Sequence, residues 1–354
     1  MSIGTARVDD QVPLTEQLRA RMARDGPISV ADYVAAANDH YYASRDPLGE
    51  DGDFTTAPEI SQMFGELIGL WLADLWLRAG RPAGVRYVEL GPGRGTLADD
   101  ALRAMRGTGL MPPVELVETS PVLRAAQRAV LPAARWHDAA ETLPQGAPLL
   151  IVANEFFDAL PVRQWVKTEA DWREQVVMAD GEGFRRAHGA AVDPPSFAPA
   201  GAPAGTFVEA RPAAEAIVTT LAQRLRVGGG AALFIDYGHD RHATGDTLQA
   251  VSRHAFADAW SEPGARDLTA HVDFEALCHA ARAEGVRVFG PMGQGSWLRA
   301  MGIDLRAASL AKAAPERTEE IVLARERLTA PEHMGKLFRV LALVAPGWPV
   351  PEGF

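Results

Sequence analysis

The sequence predicts an α/β fold, a mainly parallel sheet with helices on both faces. Three observations predict it. The apolar run Val85-Arg-Tyr-Val-Glu-Leu90 enters a turn with glycines at alternate positions, Gly91, Gly93 and Gly95, and a helix opens near Thr96. From there to residue 236, strand-like and helix-like patterns alternate, as they do in βαβ units. Polar clusters then follow the apolar runs, where the carboxyl ends of strands in an open α/β sheet meet their ligands.

The elements follow in order. Residues 1–80 read as a helical N-terminal cap or lid, with helices at 12–23 and 29–37 and a long apolar helix at 60–77. Ser29 stands at an N-cap position, with Asp32 three residues on. A polar loop, residues 49–59, precedes the apolar helix. Residues 81–354 form the main domain. Its strands are expected at 85–90, 114–118, 135–137, 149–153 and 231–236, and its helices at 96–105, 121–130 and 213–225. The glycines Gly228, Gly229 and Gly230 end the last of these helices by a left-handed cap. Insertions interrupt the pattern at about 160–206 and 237–268. The first opens with a strand-like pair, 162–168 and 174–179, and its stretch 193–205 is too rich in proline and glycine for regular structure. Segments 286–289 and 336–344 are expected to pair at the sheet edge.

Composition narrows the class. At 354 residues, with 47% hydrophobic and 23% charged residues, the chain has the make-up of a globular protein of one large or two coupled domains. A net charge of −11 argues against a general nucleic-acid binder. The single cysteine, Cys278, rules out an internal disulfide and a cysteine-rich metal site, and it falls on the apolar face of a helix with Phe274, Leu277 and Ala281. No apolar run reaches the length of a membrane span. Asp9 and Asp10 fit poorly with a transit peptide, so the chain is expected in the cytoplasm. No histidine spacing suggests a metal site.

The glycine turn carries the strongest chemical signal. Glycines let the backbone approach a ligand closely, and helix amides beyond them favour negative charge or a polar tail. The dinucleotide fingerprint G-x-G-x-x-G/A requires a small third residue; Thr96 stands there, which places an NAD-linked oxidoreductase last among the readings. With Glu89 ahead of it, the E-x-G-x-G-x-G pattern is similar to the S-adenosylmethionine (SAM) loop of class I methyltransferases. Glu118, at the end of the second strand, is a candidate for both ribose hydroxyls, or a helix-start charge before Thr119-Ser-Pro121. Asp138 ends the third strand and is a candidate for an adenine amino group, or an ordinary loop acid. The fourth strand delivers Asn154-Glu-Phe-Phe-Asp158, in which Asn154, Glu155 and Asp158 face the expected meeting point of acceptor and methyl donor, or else cap the loop. His271 is a candidate base, with a structural role the commoner alternative for a lone histidine.

These segments together make the chain resemble the MidA-like family of SAM-dependent methyltransferases, which includes the mitochondrial complex I assembly factor. The resemblance runs from Pro27 to Val344. It rests on Gly52-Asp-Phe-Thr-Thr-Ala-Pro-Glu59 with Ile-Ser-Gln-Met-Phe-Gly-Glu66 following, the glycine turn, Val117-Glu-Thr-Ser-Pro121, Ala153-Asn-Glu-Phe-Phe-Asp-Ala-Leu-Pro-Val162, Phe234-Ile-Asp-Tyr-Gly238 and Asp267-Leu-Thr-Ala-His-Val-Asp-Phe274. The resemblance implies a class I, Rossmann-like fold with a seven-stranded sheet. It implies SAM as donor and an arginine of a core subunit of respiratory complex I as acceptor. Glu155 and Asp158 would then orient the guanidinium, Asn154 would accept from the attacking nitrogen, and Thr55, Thr56 and Glu59 would close over SAM. A methyltransferase of small molecules and a non-catalytic SAM-binding assembly chaperone are the alternatives.

Overall fold

The computed structural model describes residues 12–44, 55–252 and 255–354. The N-terminal part comprises α1 (Leu14–Asp25), β1 (Ile28–Ser29), α2 (Val30–Ser44), α3 (Ala57–Ile60) and α4 (Gln62–Arg78). The alternating region follows with β2 (Arg86–Leu90), α5 (Thr96–Gly107), β3 (Val114–Val117), α6 (Pro121–Val130), β4 (Arg135–His137) and β5 (Leu149–Asn154). The first insertion holds β6 (Arg163–Lys167), β7 (Trp172–Asp180), β8 (Gly183–Val192) and β9 (Phe207–Ala210). Then come α7 (Pro212–Gly228), β10 (Gly230–His239), β11 (Gln249–Ser252), β12 (Ala255–Ala257), β13 (Asp267–Thr269), β14 (Val272–Asp273) and α8 (Phe274–Ala283). The chain ends in β15 (Arg287–Gly293), α9 (Gln294–Ala300), α10 (Ile303–Ala313), α11 (Thr318–Thr329), α12 (Met334–Leu337) and β16 (Phe338–Val344).

The central sheet has the order β15-β16-β10-β5-β2-β3-β4, with β14 added beside β10. The five strands from β10 to β4 are parallel to one another, and β16 runs antiparallel to both of its neighbours, β10 and β15. This is the expected class I arrangement. Its side chains divide by the strand period of two. Tyr87, Leu116, Leu150, Val152, Leu233 and Ile235 face one core, shared with α4, α5 and α9–α11. Val88, Leu90, Ile151, Ala153 and Phe234 face the other, shared with α7 and α8. Cys278 is buried there, and burial pushes its thiol up to about 11, as suits a packing residue.

The N-terminal helices divide between two bodies. Leu18, Tyr33 and Val34 of α1 and α2 pack with Val162, Val177, Phe184 and Leu268 of the insertions. There β1 pairs with β7 in a five-stranded sheet, and β11–β13 form a three-stranded one. The Ser29 cap is present: Asp32 N–H donates to Ser29 Oγ at 3.0 Å. The expected helix at 60–77 is broken at Ser61, whose hydroxyl accepts from Met63 N–H and starts α4 afresh. Helix α4 lies in the main core, and Gly65 and Gly69 let it approach α5. A Cβ on Gly69 would stand 2.3 Å from the Ala101 carbonyl oxygen. The expected edge pairing is present between β15 and β16, whose strands are separated in sequence by α9–α12. Residues 193–205 contain no helix or strand.

Candidate functional site

The carboxyl ends of β2, β3 and β5 open into a cavity of about 660 Å³, covered by α2 and α3. Its lining brings together Glu89, Gly91, Gly93, Glu118, Thr56, Glu59, Asn154 and Glu155, which are eight of the residues singled out in the sequence. The turn after β2 needs its glycines. Gly91, Gly93 and Gly95 have φ of +60°, +54° and +87°, a region costly for residues with a Cβ. Gly91 also lies against the polar loop after β5, where a Cβ would stand 2.8 Å from the Phe156 ring. Gly95 does not line the cavity; it is the N-cap of α5. Thr96 takes the place of the dinucleotide fingerprint's third small residue, and its hydroxyl donates to Glu59 at 2.6 Å, tying α3 to the start of α5.

Two buried carboxylates stand at the strand ends. Glu89 accepts from the Tyr87 hydroxyl at 2.5 Å, and burial pushes its carboxyl up to about 8. A cation or a strong donor beside it would favour the anion. Glu118 accepts from Ser120 N–H at 2.8 Å and from Gln127 Nε2 at 3.3 Å, and burial raises its pKa as well. Gln127 is a residue that sequence reasoning missed. Its amide also donates to the Gly93 carbonyl at 2.7 Å, so one α6 side chain links the glycine turn to Glu118. A glutamine on the inward face of an amphipathic helix was the available signal.

The Asn154–Asp158 segment makes a tight turn at the end of β5. Glu155 has φ of +49°, uncommon for a residue with a long side chain. Its Oε1 accepts from Ala57 N–H at 3.1 Å and from Asn154 Nδ2 at 3.2 Å. Burial, and then the nearby Asp158, push Glu155 up to about 7. Asn154 Oδ1 is buried with no hydrogen-bond partner among the described residues. An acceptor left unpaired beside a cavity is costly unless a bound donor reaches it.

Four other candidates lie elsewhere. The Asp158 carboxylate does not line the cavity; it is buried, accepts from the Tyr237 hydroxyl and lies near Arg211. Its turn points it back into the protein because the backbone around it is held from that side. His271 lines a separate small pocket with His239, and burial lowers its pKa. The second insertion holds it there, its backbone N–H donating to Thr247 Oγ1 at 2.9 Å. Asp138 is exposed and pairs with Arg124 at 2.7 Å, because the chain turns outward after β4. Thr55 precedes Thr56 but does not line the cavity. The rest of its motif, residues 52–54, lies outside the described residues.

The cavity's roof comes from α2, which sequence reasoning had placed only as part of a cap. Asn38 donates to the Ala159 and Leu268 carbonyls, both at 2.8 Å, and accepts from Leu268 N–H at 3.1 Å. Tyr42 donates to Asp267 at 3.0 Å, and its carbonyl accepts from Ser120 Oγ at 2.6 Å. Helix α2 is thereby fastened both to the loop after β5 and to the start of α6. A site of this shape has room for a nucleoside-sized ligand at the glycine turn and for a second, cationic group at Asn154 and Glu155.

Comparison with known proteins bears on the family of the chain. Residues 67–292 match the Methyltransf_28 family model of S-adenosyl-L-methionine-dependent methyltransferases. The mitochondrial protein arginine methyltransferase NDUFAF7 homolog of Drosophila melanogaster is 38% identical, with 93% of this chain and 84% of the relative covered. Its human counterpart, mitochondrial protein arginine methyltransferase NDUFAF7, is 35% identical over 94% of this chain and 83% of its own. A crystal structure of a Burkholderia thailandensis protein bound to S-adenosyl-homocysteine superposes with a TM-score of 0.86 at 30% identity, covering 96% of this chain and 93% of that one.

Proposed function

From a chain that belongs to this family of S-adenosyl-L-methionine-dependent methyltransferases, we propose a protein-arginine N-methyltransferase whose substrate is a core subunit of respiratory complex I or its equivalent. The observation that carries the acceptor assignment is the pairing of a buried Asn154 Oδ1, without a hydrogen-bond partner among the described residues, with the Glu155 carboxylate at one end of an acid-lined cavity. A guanidinium offers several N–H donors in one plane and a positive charge, which answers both groups at once. The arginine methyltransferase names of the relatives support the same acceptor.

The other end fits the donor. Glu118 has lone pairs to spare for vicinal hydroxyls, and the positive-φ glycine turn exposes backbone to a polar tail. When bound, SAM supplies an electrophilic methyl group on a positively charged sulfur. The chain's own residues then have three tasks. Glu59 and Thr56 cover the site, with Glu59 held by Thr96. Asn154 and Glu155 fix the guanidinium, and alignment of this kind can contribute about 7–11 kcal/mol at best. Glu155 also receives the proton that the acceptor nitrogen gives up as its bond to carbon forms; a carboxyl near pH 7 suits that transfer.

The test is methyl transfer from labelled SAM to purified complex I subunits, with the modified residue located by mass spectrometry. Label on arginine is the expected result. Label on lysine, or on a small molecule only, would reject the assignment, and SAM binding without any transfer would favour an assembly chaperone.

A further inference from the structure

Asp236 lies on β10 beside the turn that carries Glu155, and its side chain is fully buried. One oxygen, Oδ2, accepts from three successive backbone amides: Phe156 at 3.2 Å, Phe157 at 2.9 Å and Asp158 at 3.2 Å. The other accepts from Tyr237 N–H at 2.9 Å. Burial raises the cost of its charge. Yet both oxygens face N–H donors and none of the bonds offers an acceptor for a carboxyl proton, so the anion is the form the geometry fits. The same turn is gripped from its carbonyl side. Buried Arg211 donates to Asp158 O at 3.0 Å and Leu160 O at 3.3 Å, and also to the Ala270 and His271 carbonyls.

We infer that Asp236 is a positioning residue for methyl transfer: its carboxylate gathers the amides of residues 156–158 and so holds Glu155 in the left-handed turn that presents it to the cavity. A left-handed glutamate is strained and persists only when its surroundings over-determine it. Three amides on one oxygen supply that constraint immediately after Glu155. Asp236 does not line the cavity, so it acts through Glu155 and not by contact with either reactant. This role rests on the catalytic reading of Glu155 given above.

The test compares Asp236→Asn with Glu155→Gln in the full chain. Asparagine has the same shape, but it loses the charge and turns an NH2 group toward one set of N–H donors. Folding by circular dichroism and SAM affinity by calorimetry are expected to be retained. Methyl transfer at saturating substrates should fall on the order of a hundredfold, the scale of a misplacement near 1 Å. Hydrogen exchange at residues 156–158 should accelerate without ligand. The acid limb of the kcat profile should move to lower pH, because a negative charge near Glu155 is gone. The other groups facing Glu155 stay in place: Asp158 and Asn154 on its own loop, the Ala57 amide of α3 and Arg327 of α11.

Wild-type turnover in Asp236→Asn, an unmoved acid limb, or a parallel loss of SAM affinity would overturn the positioning role. Full activity in Glu155→Gln would instead sink the catalytic reading beneath it. Should Asp236→Asn fail to fold, Asp236→Glu keeps the charge and displaces it by one methylene. A kcat loss with intact SAM binding in that variant supports the role, and wild-type kcat in it refutes the role.

Discussion

At Glu155, burial and the Asp158 charge favour the proton while Ala57 and Asn154 favour the anion, and the balance lies at about 7. In the proposed reaction the charged form holds the guanidinium and takes its proton, so kcat should rise with pH through about 7 and fall away below it. Replacement by glutamine should remove that limb and cost on the order of a hundredfold or more in single-turnover transfer, as for a preorganised electrostatic group, with SAM affinity nearly intact. Full activity in Glu155→Gln, or a rate flat between pH 6 and 8, would deny the residue this task. Glu118 is proposed to serve the other ligand. Glu118→Gln keeps the size but loses charge and one acceptor, and should weaken SAM binding by about 1.5–3 kcal/mol, read by calorimetry; unchanged affinity would leave Glu118 as the cap of Ser120 alone. The placement of both residues at the cavity was legible in the sequence, because a carboxylate directly after an apolar strand has few reasons to be there. Asp158 and His271 were not correctly placed, since which way a side chain leaves a turn depends on contacts from Asp236, Arg211 and Tyr237 that are distant in sequence.

Helix α4 shows how an element away from the chemistry supports it. It continues from α3, which brings Thr56 and Glu59 to the cavity, and it presses on α5, which starts at the glycine turn. The contact depends on Gly65 and Gly69, four residues apart on one helix face. Gly65 as alanine would meet Asp100 Cβ at 2.7 Å, and Gly69 as alanine would meet the Ala101 backbone more closely still. Gly69→Ala should therefore destabilise the chain by about 1–3 kcal/mol, the usual cost of overpacking, although alanine is the better helix former. Urea denaturation decides it; a stabilised variant would show that the two helices can separate freely. The pattern was visible in the sequence, yet an apolar helix reads the same whether its glycines mark a close crossing or nothing. The strands of the main sheet were easier, since each is a short apolar run bounded by turn residues. The helices α9–α12 went unread: α10 and α11 are Ala-, Arg- and Glu-rich with few buried positions, so their periodicity is weak, and packing of α10 on α4 and of α9 and α12 on β16 settles the group. The expected single helix at 60–77 failed at Ser61 because a serine cap looks, in sequence, like any polar residue inside a helix.

At the scale of the whole molecule, the proposed function calls for acidic groups around a cationic acceptor, and burying such groups has a cost in stability. Glu89 has a folded-state pKa near 8 against about 4.5 unfolded, so the fold binds a proton that the unfolded chain releases. Stability of the ligand-free chain should then fall as pH rises through that window, and Glu89→Gln should flatten the fall in denaturation free energy. An identical slope in the variant would mean that Glu89 is stabilised as an anion without ligand. Five acidic residues, Asp39, Glu59, Glu89, Glu118 and Glu155, line the cavity beside one arginine, Arg94, on a chain of net charge −11. Where these carboxyls are ionised, such a cleft concentrates positively charged substrate at its mouth, and the effect is screened once the Debye length shrinks from about 10 Å at 0.1 M salt to about 3 Å at 1 M. The KM for an arginine-containing protein substrate should therefore climb steeply with ionic strength. The kcat should change far less, because the Asn154 and Glu155 contacts form in a desolvated site that salt does not reach. Steady-state kinetics across that salt range separate the two. A KM indifferent to salt would mean that the acidic lining does not recruit the substrate, and a kcat that falls in step would place the salt-sensitive contact in the transition state itself.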